Sequence, residues 1–174
     1  MEPKLILLPN NLEHNPRTAI EEAISAELGK SVTIGHRANG SPYLNEDTAS
    51  ISISHCRTTL GVLIGPRDST LGIDVEDKWT QAQKVFKRFA TQEELSILKH
   101  IDPIHPLWLW TAKEAVYKAF STHVSHFSRD IRLTGVKKGG KLQMLVSESI
   151  PVFVQCKLYN WHCAVSIVTA LDMD

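Results

Sequence analysis

At 174 residues the chain is long enough for one ordinary domain with a sizeable core, and its apolar content is that of a globular protein. Lysine plus arginine and aspartate plus glutamate balance at 19 each. That excludes a chain built chiefly to bind nucleic acid and confines any basic surface to a local patch. No low-complexity tract or long charge block argues for disorder.

The Lys4-to-Pro9 stretch is a short apolar run. It is too short for a membrane span and lacks a signal peptide's long apolar region and cleavage site, so a cytoplasmic protein with no membrane partner is expected. Asn15-Pro16 opens a helix; Arg17 to Leu28 is amphipathic, with Ile20, Ala23 and Ile24 on one face and Gly29 at its end. Ser31 to His36 reads as a strand and Asn39-Gly40-Ser41-Pro42 as a turn. Ile51-Ser52-Ile53-Ser54 alternates with period two, as a half-buried strand does. Leu60 to Ile64 is a second apolar strand, Gly65-Pro66-Arg67-Asp68-Ser69 a turn, and Leu71 to Glu76 the next strand.

The middle of the chain turns helical. Gln81 to Phe89 sets Val85, Phe86 and Phe89 against Lys84, Lys87 and Arg88. Thr91-Gln92-Glu93-Glu94 has the form of a capping box. Pro103 and Pro106 precede a long helix from about Leu107 to Phe120. The remainder is strand-rich: Ile131 to Val136, a Lys138-Gly139-Gly140-Lys141 turn, Leu142 to Val146, Val152 to Leu158, and Trp161 to Thr169. The hairpins Ile51 to Gly65 and Val152 to Thr169 echo each other in length and pattern. No linker separates them. A single α+β unit of two lobes is expected, with halves of about 1–80 and 81–174.

Cys56, Cys156 and Cys163 cannot all pair, and none lies in a CxxC, so free thiols are expected. The dipeptides His55-Cys56 and His162-Cys163 lack the spacing of a zinc site.

Asp74 and Glu76, two apart on a strand, share one face while Ile73 and Val75 share the other. Paired carboxylates repel unless a cation lies between them, and Mg²⁺ is the natural oxygen-ligated partner. The same spacing also fits a strand end reaching solvent, with Asp77 and Lys78 continuing a polar surface. Glu114 and Lys118, four apart on the long helix, share a face with Trp110, with Lys113 or Tyr117 at its edges. They read equally as a surface ion pair. His55, ending a strand beside Ser54, reads as a surface residue or as a phosphate donor.

Together these segments resemble the 4′-phosphopantetheinyl transferases, in particular the broad-specificity type that activates peptide and polyketide synthases. That family carries a strand (I/V)-G-(I/V)-D-x-E and, some tens of residues later, a helix W-x-x-K-E-x-x-x-K. This chain has Leu71-Gly72-Ile73-Asp74-Val75-Glu76, then Trp110-x-x-Lys113-Glu114-x-x-x-Lys118. Ile51 to His55 matches the family's N-x-S-H segment, Gly40-Ser41-Pro42 approximates its G-(K/R)-P turn, and Arg88-Phe89 to Glu94 approximates R-F-F-x-x-x-E. The matches run in order from about residue 17 to 120.

The resemblance implies transfer of the 4′-phosphopantetheine arm of coenzyme A to a serine of an apo acyl or peptidyl carrier protein. Adenosine 3′,5′-bisphosphate leaves, and Mg²⁺ is the cofactor. It implies Asp74, Glu76 and Glu114 as metal ligands, and Glu114 as general base, with Glu94 a weaker candidate and Lys118 the cation balancing Glu114. It implies His55, Lys113 and Lys118 near the phosphates of coenzyme A, with Ser54 beside His55. Arg17 becomes a candidate contact from the first helix and Arg37 one for the adenosine 3′-phosphate. The implied fold is a pseudodimer of two similar α+β halves in one monomeric chain, with coenzyme A between them. The alternative is a non-catalytic relative that binds coenzyme A or a carrier domain. Three departures stand out: Ser41 replaces the basic residue of the turn, with Arg37 or His36 available in its stead. Ala119 to His123 lacks the family's glycine-rich stretch, and few cations precede the first helix.

Overall fold

In the computed structural model the chain is described for residues 1–10, 15–98, 106–139, 141–160 and 163–169. Pro103, Gly140, Trp161 and His162, used above, lie outside the described residues. The Lys4–Pro9 run is an edge strand, β1, antiparallel to β5 (Thr59–Gly65) with Lys4 opposite Ile64. Sequence weighed that run only against a membrane span or a signal. Its alternation serves two cores: Ile6 and Leu8 pack on one face of the sheet, Leu5 and Leu7 on the other. Helix α1 (Pro16–Leu28) starts where Asn15 accepts the Arg17 N–H and ends at left-handed Gly29, as expected. Of the Ser31-to-His36 strand only β2 (Ile34–His36) forms, paired with β3 (Pro42–Leu44) across the Asn39-Gly40 turn. Strand β4 (Ser50–His55) completes a three-stranded sheet in the order β1-β5-β4.

Strand β6 (Leu71–Glu76) opens a second, five-stranded sheet. Helices α2 (Trp79–Phe89), α3 (Gln92–Leu98) and α4 (Pro106–Phe120) follow, then a 3₁₀ turn and the single-turn α5 (Phe127–Asp130). Strands β7 (Ile131–Lys137), β8 (Lys141–Val146), β9 (Ile150–Tyr159) and β10 (Cys163–Thr169) give the order β6-β10-β9-β8-β7. In both sheets the last strand lies between the first and the penultimate one. Because β6 pairs with β10, the change of sheet falls in the Pro66–Thr70 turn.

The layers follow from which faces are apolar. Ile20 and Ile24 of α1 cover Leu60, Val62 and Ile64 of β5. Leu63 and Leu7 of the first sheet meet Ile73, Val75 and Val165 of the second. Burying each such side chain is worth about 1.5–3 kcal/mol. On the far face of the second sheet α4 lies against β6 and β10, burying Leu109, Ala112, Ala115 and Val116. Gly72 sets how closely it lies: a Cβ there would stand 1.9 Å from the Ala115 carbonyl oxygen. No described helix is long and apolar enough to cross a membrane.

Strand β4 was expected to be half-buried, yet it is covered on both faces. Its serines face the second sheet. The Ile73 N–H donates to Ser52 Oγ at 3.1 Å and the Val75 N–H to Ser54 Oγ at 3.2 Å. These hydroxyls satisfy two N–H groups on the edge of β6 that no described strand pairs.

Candidate functional site

Along β6, Ile73 and Val75 enter the core between the sheets, so Asp74 and Glu76 face the opposite way, as the alternation predicts. Asp74 is buried beneath α4. Its Oδ1 accepts from Ser54 Oγ at 2.8 Å and from Lys118 Nζ at 2.8 Å, and the same ammonium donates to the Ile73 carbonyl at 3.0 Å. Burial pushes the Asp74 carboxyl above its usual range; Lys118 and Ser54 oppose that shift, and the charge of Glu76 adds to it. Glu114, one helical turn before Lys118 and half-buried, is raised by burial first and then by the charge of Asp74, with Lys118 opposing.

Asp74 and Glu114 therefore lie within each other's field, with Lys118 beside them. Glu76 points its carboxylate elsewhere: Oε1 accepts the N–H groups of Asp77 at 2.9 Å and Lys78 at 3.0 Å. Among the described residues no group of three or more His, Cys, Asp or Glu side chains is arranged to hold a metal ion. The trio expected from sequence is not gathered. Neighbouring carboxylates repel, and Asp74 and Glu76 have each turned to a donor of the chain itself.

Two expected site residues belong to another structure altogether. Lys113 is fully buried; its ammonium donates to the Phe89 carbonyl at 2.8 Å and pairs with Glu94 at 2.8 Å from Oε1 and 3.0 Å from Oε2. Glu94, equally buried, also accepts the N–H groups of Thr91 and Leu133 at 2.8 Å each, so the capping box forms and ties β7 to α3. Burial lowers the Lys113 pKa, and Glu94 counters it. In this structure Lys113 and Glu94 are turned to each other and away from the Lys118 cleft, and the pair joins α2, α3, α4 and β7. Helix geometry explains it, since residues five apart sit about 140° apart around the axis and Lys113 cannot share the face of Lys118.

Arg17, on the first helix, has partners within the chain. It pairs with Glu21 at 3.0 Å and donates to the Ile34 carbonyl, holding α1 to β2. His55 is exposed at the end of β4, next to Ser54.

A cleft opens beside Lys118, between the β2–β3 turn and β4 on one side and the C-terminal end of α4 on the other. It comprises two adjoining hollows of about 370 and 460 Å³ that share Ser41, Pro42, Ile51, Leu71, Lys118 and Ser121. Exposed Tyr117 stands at its edge. Neither Arg17 nor His55 lines it. Arg37 does; its guanidinium donates to the Pro42 carbonyl at 3.2 Å and lies 5.2 Å from the Tyr43 ring centre. Ser41 Oγ donates to Asn39 Oδ1 at 2.8 Å. Sequence missed Arg67, which also lines the cleft and pairs with Asp47 at 2.6 Å and with Asp68 at 3.7 Å. The only hint was a cation inside a turn signal. All three cysteines are free and buried, with Cys56 and Cys163 3.7 Å apart at sulfur.

The sequence model of the 4′-phosphopantetheinyl transferase superfamily matches residues 70–165, more than half of the chain. The matched stretch holds Asp74, Glu76, Glu114 and Lys118, while Arg37, Ser54 and Arg67 lie before it. No curated protein matches the chain.

Proposed function

Because this chain belongs to the 4′-phosphopantetheinyl transferase superfamily, we propose that it moves the 4′-phosphopantetheine arm of coenzyme A onto a serine of an apo carrier protein, as the broad-specificity members do. The observation that carries this reading is the buried Asp74 joined to Ser54 and to Lys118, with Glu114 in its field, where Lys118 itself lines the cleft. The chain would form one transferase domain of two halves, and the repeated strand order supports that view. One chain then supplies both walls, which favours a monomer. No membrane or nucleic-acid partner enters the reading, and a cytoplasmic setting suits it.

In the reaction the carrier serine oxygen forms a bond to the β-phosphorus of coenzyme A. The bond from that phosphorus to the bridging oxygen breaks, and adenosine 3′,5′-bisphosphate leaves with the electron pair. Glu114, or a water it orients, takes the serine proton; a carboxyl raised by burial is the stronger base once ionised. The Lys118 ammonium offsets charge on the pyrophosphate. Ser54 holds Asp74 in place from behind. The donor set fits Mg²⁺ chemically: Asp74, Glu76 and Glu114 are hard oxygen ligands, and the burial that raises Asp74 and Glu114, with the smaller part their neighbouring carboxylates add, is a cost a divalent cation offsets. When bound there, Mg²⁺ supplies charge neutralisation for the transferring and leaving oxygens.

The test is incubation with coenzyme A, Mg²⁺ and an apo carrier, read as the mass gain of a phosphopantetheine arm. Glu114→Gln should abolish the gain and leave coenzyme A binding in place. Coenzyme A binding without transfer to any of several carriers would instead identify a non-catalytic binder.

A further inference from the structure

We propose that Cys56 and Cys163 are a site of reversible oxidation, joined by peroxide into a disulfide that ties the first sheet to the second. The two are 107 residues apart in sequence, yet their sulfurs lie 3.7 Å apart. Cys56 directly follows β4 of the first sheet, and Cys163 opens β10 of the second. Both belong to the apolar layer between the sheets, with Leu63, Ile73 and Val165. A disulfide measures about 2 Å, so about 1.7 Å remains to be closed.

The contact is held by bonds around the turn between β4 and β5. The Cys56 N–H donates to the Thr59 carbonyl at 2.9 Å, and the Asn10 amide donates to the Cys56 carbonyl at 2.6 Å. Thr58 Oγ1 donates to Asp77 Oδ2 at 3.1 Å, which pins the turn to the residue after β6. Cys163 is fixed by its register with Tyr159 of β9. The third cysteine is placed differently. Cys156 packs with the α4 side chains on the other face of the second sheet, its sulfur 3.3 Å from Ser166 Oγ, and burial pushes its thiol up to about 11. It is the inert kind of cysteine.

Cys56 is 7% exposed and Cys163 not at all, so the oxidant meets Cys56 first. The Cys163 thiol donates toward the Cys56 sulfur and favours its thiolate, against the cost of burial. That sulfur attacks a peroxide oxygen and the O–O bond breaks. The departing hydroxide takes the Cys56 proton as water and leaves a sulfenic acid on Cys56. The Cys163 sulfur then attacks the Cys56 sulfur, the S–O bond breaks, and water leaves with the Cys163 proton. The two thiols lose two electrons between them, and the peroxide is reduced to water.

The test treats the full, folded chain with stoichiometric hydrogen peroxide. Thiols titrated after unfolding should fall from three to one, and peptide mapping should link Cys56 to Cys163. The melting temperature should rise by about 5–15 °C, because the bond constrains so long a loop of the unfolded chain, and a dithiol reductant should reverse the rise. Cys156→Ala should respond as wild type does, whereas Cys56→Ala and Cys163→Ala should form no bond and show no rise. The proposal is overturned if three thiols survive in treated wild type, if the bond uses Cys156 or joins two chains, or if oxidation ends at a sulfinic acid. A linked protein that melts no higher than the reduced one overturns it too, since the sheets would not then be tied. The wild-type map and melting curve decide the matter even where a variant fails to fold, and neither depends on the transfer reading.

Discussion

Replacing Lys113 by methionine should cost the fold about 3–5 kcal/mol, the usual result of stripping one partner from a buried ion pair, and leave coenzyme A affinity intact. The magnitude follows from what the substitution strands. Glu94 is 1% exposed and would keep two N–H donors, from Thr91 and Leu133, but no counter-ion. The Phe89 carbonyl would lose its ammonium donor as well. At about 2–4 °C per kcal/mol for a chain of this size, the melting temperature should drop by about 6–20 °C. That loss is a large part of a typical domain's stability, so the measurement belongs in urea at low temperature with tryptophan fluorescence. Glu94→Gln strands the ammonium instead and should cost a similar amount. Combined with Lys113→Met it should cost less than the sum by about 2 kcal/mol, because a neutral pair leaves no buried charge uncompensated. A Lys113→Met protein with the wild-type urea midpoint and lost coenzyme A affinity would refute the reasoning. The lysine would then reach the cleft, as its place beside Glu114 suggests.

Gly72→Ala should force α4 away from β6, since the added Cβ would meet a backbone oxygen at 1.9 Å. Overpacking of this kind costs about 1–3 kcal/mol. Transfer should fall further than stability does, about a hundredfold for a shift of roughly 1 Å at Glu114 and Lys118; paired denaturation and turnover measurements check it. Lys118→Met should lower transfer about 10²–10³-fold, the range for removing one preorganised donor, while the circular dichroism spectrum stays native. Asp130 is held at about 2 by the Arg129 side chain and the N–H groups of His126 and Ser125. Its folded pKa lies below the ordinary value, so its stabilisation is complete above about pH 4 and disappears as pH falls toward 2. The urea midpoint of wild type should therefore drop more steeply over that interval than that of Asp130→Asn.

Much of the scaffold was legible because local rules set it. Asn15, Gly29 and the Thr91–Glu94 box mark helix ends by their own hydrogen bonds, and Leu71–Glu76 carries its strand period in six residues. What failed depended on partners far along the chain. Lys4–Pro9 is apolar without a decisive period, and only its match to β5 makes it a strand. Lys113 and Glu114 are neighbours in sequence, yet one enters the core and the other stays half-buried one turn from Lys118. Spacing says which residues share a face of α4; it does not say that α2, α3 and β7 close over one of those faces. Arg67 becomes a cleft residue only because β6 leaves the first sheet at the turn that contains it.

The same departure accounts for the chemistry around Asp74. Had β4 and β6 paired as one continuous sheet, backbone partners would have filled the outer edge of β6. An unpaired edge is ordinarily a liability that invites further strands. Here the edge meets the side chains of β4: Ser52 and Ser54 take its N–H groups, and its Ile73 carbonyl is left to orient Lys118. Ser54 does both tasks at once, accepting from Val75 and donating to Asp74, so the hydroxyl that closes the seam also aims the carboxylate. The polar alternation of Ile51 to Ser54, which looks like a solvent-facing pattern, is what two sheets need in order to meet without pairing. The buried carboxylate, its cation and the cleft beside them all follow from that junction.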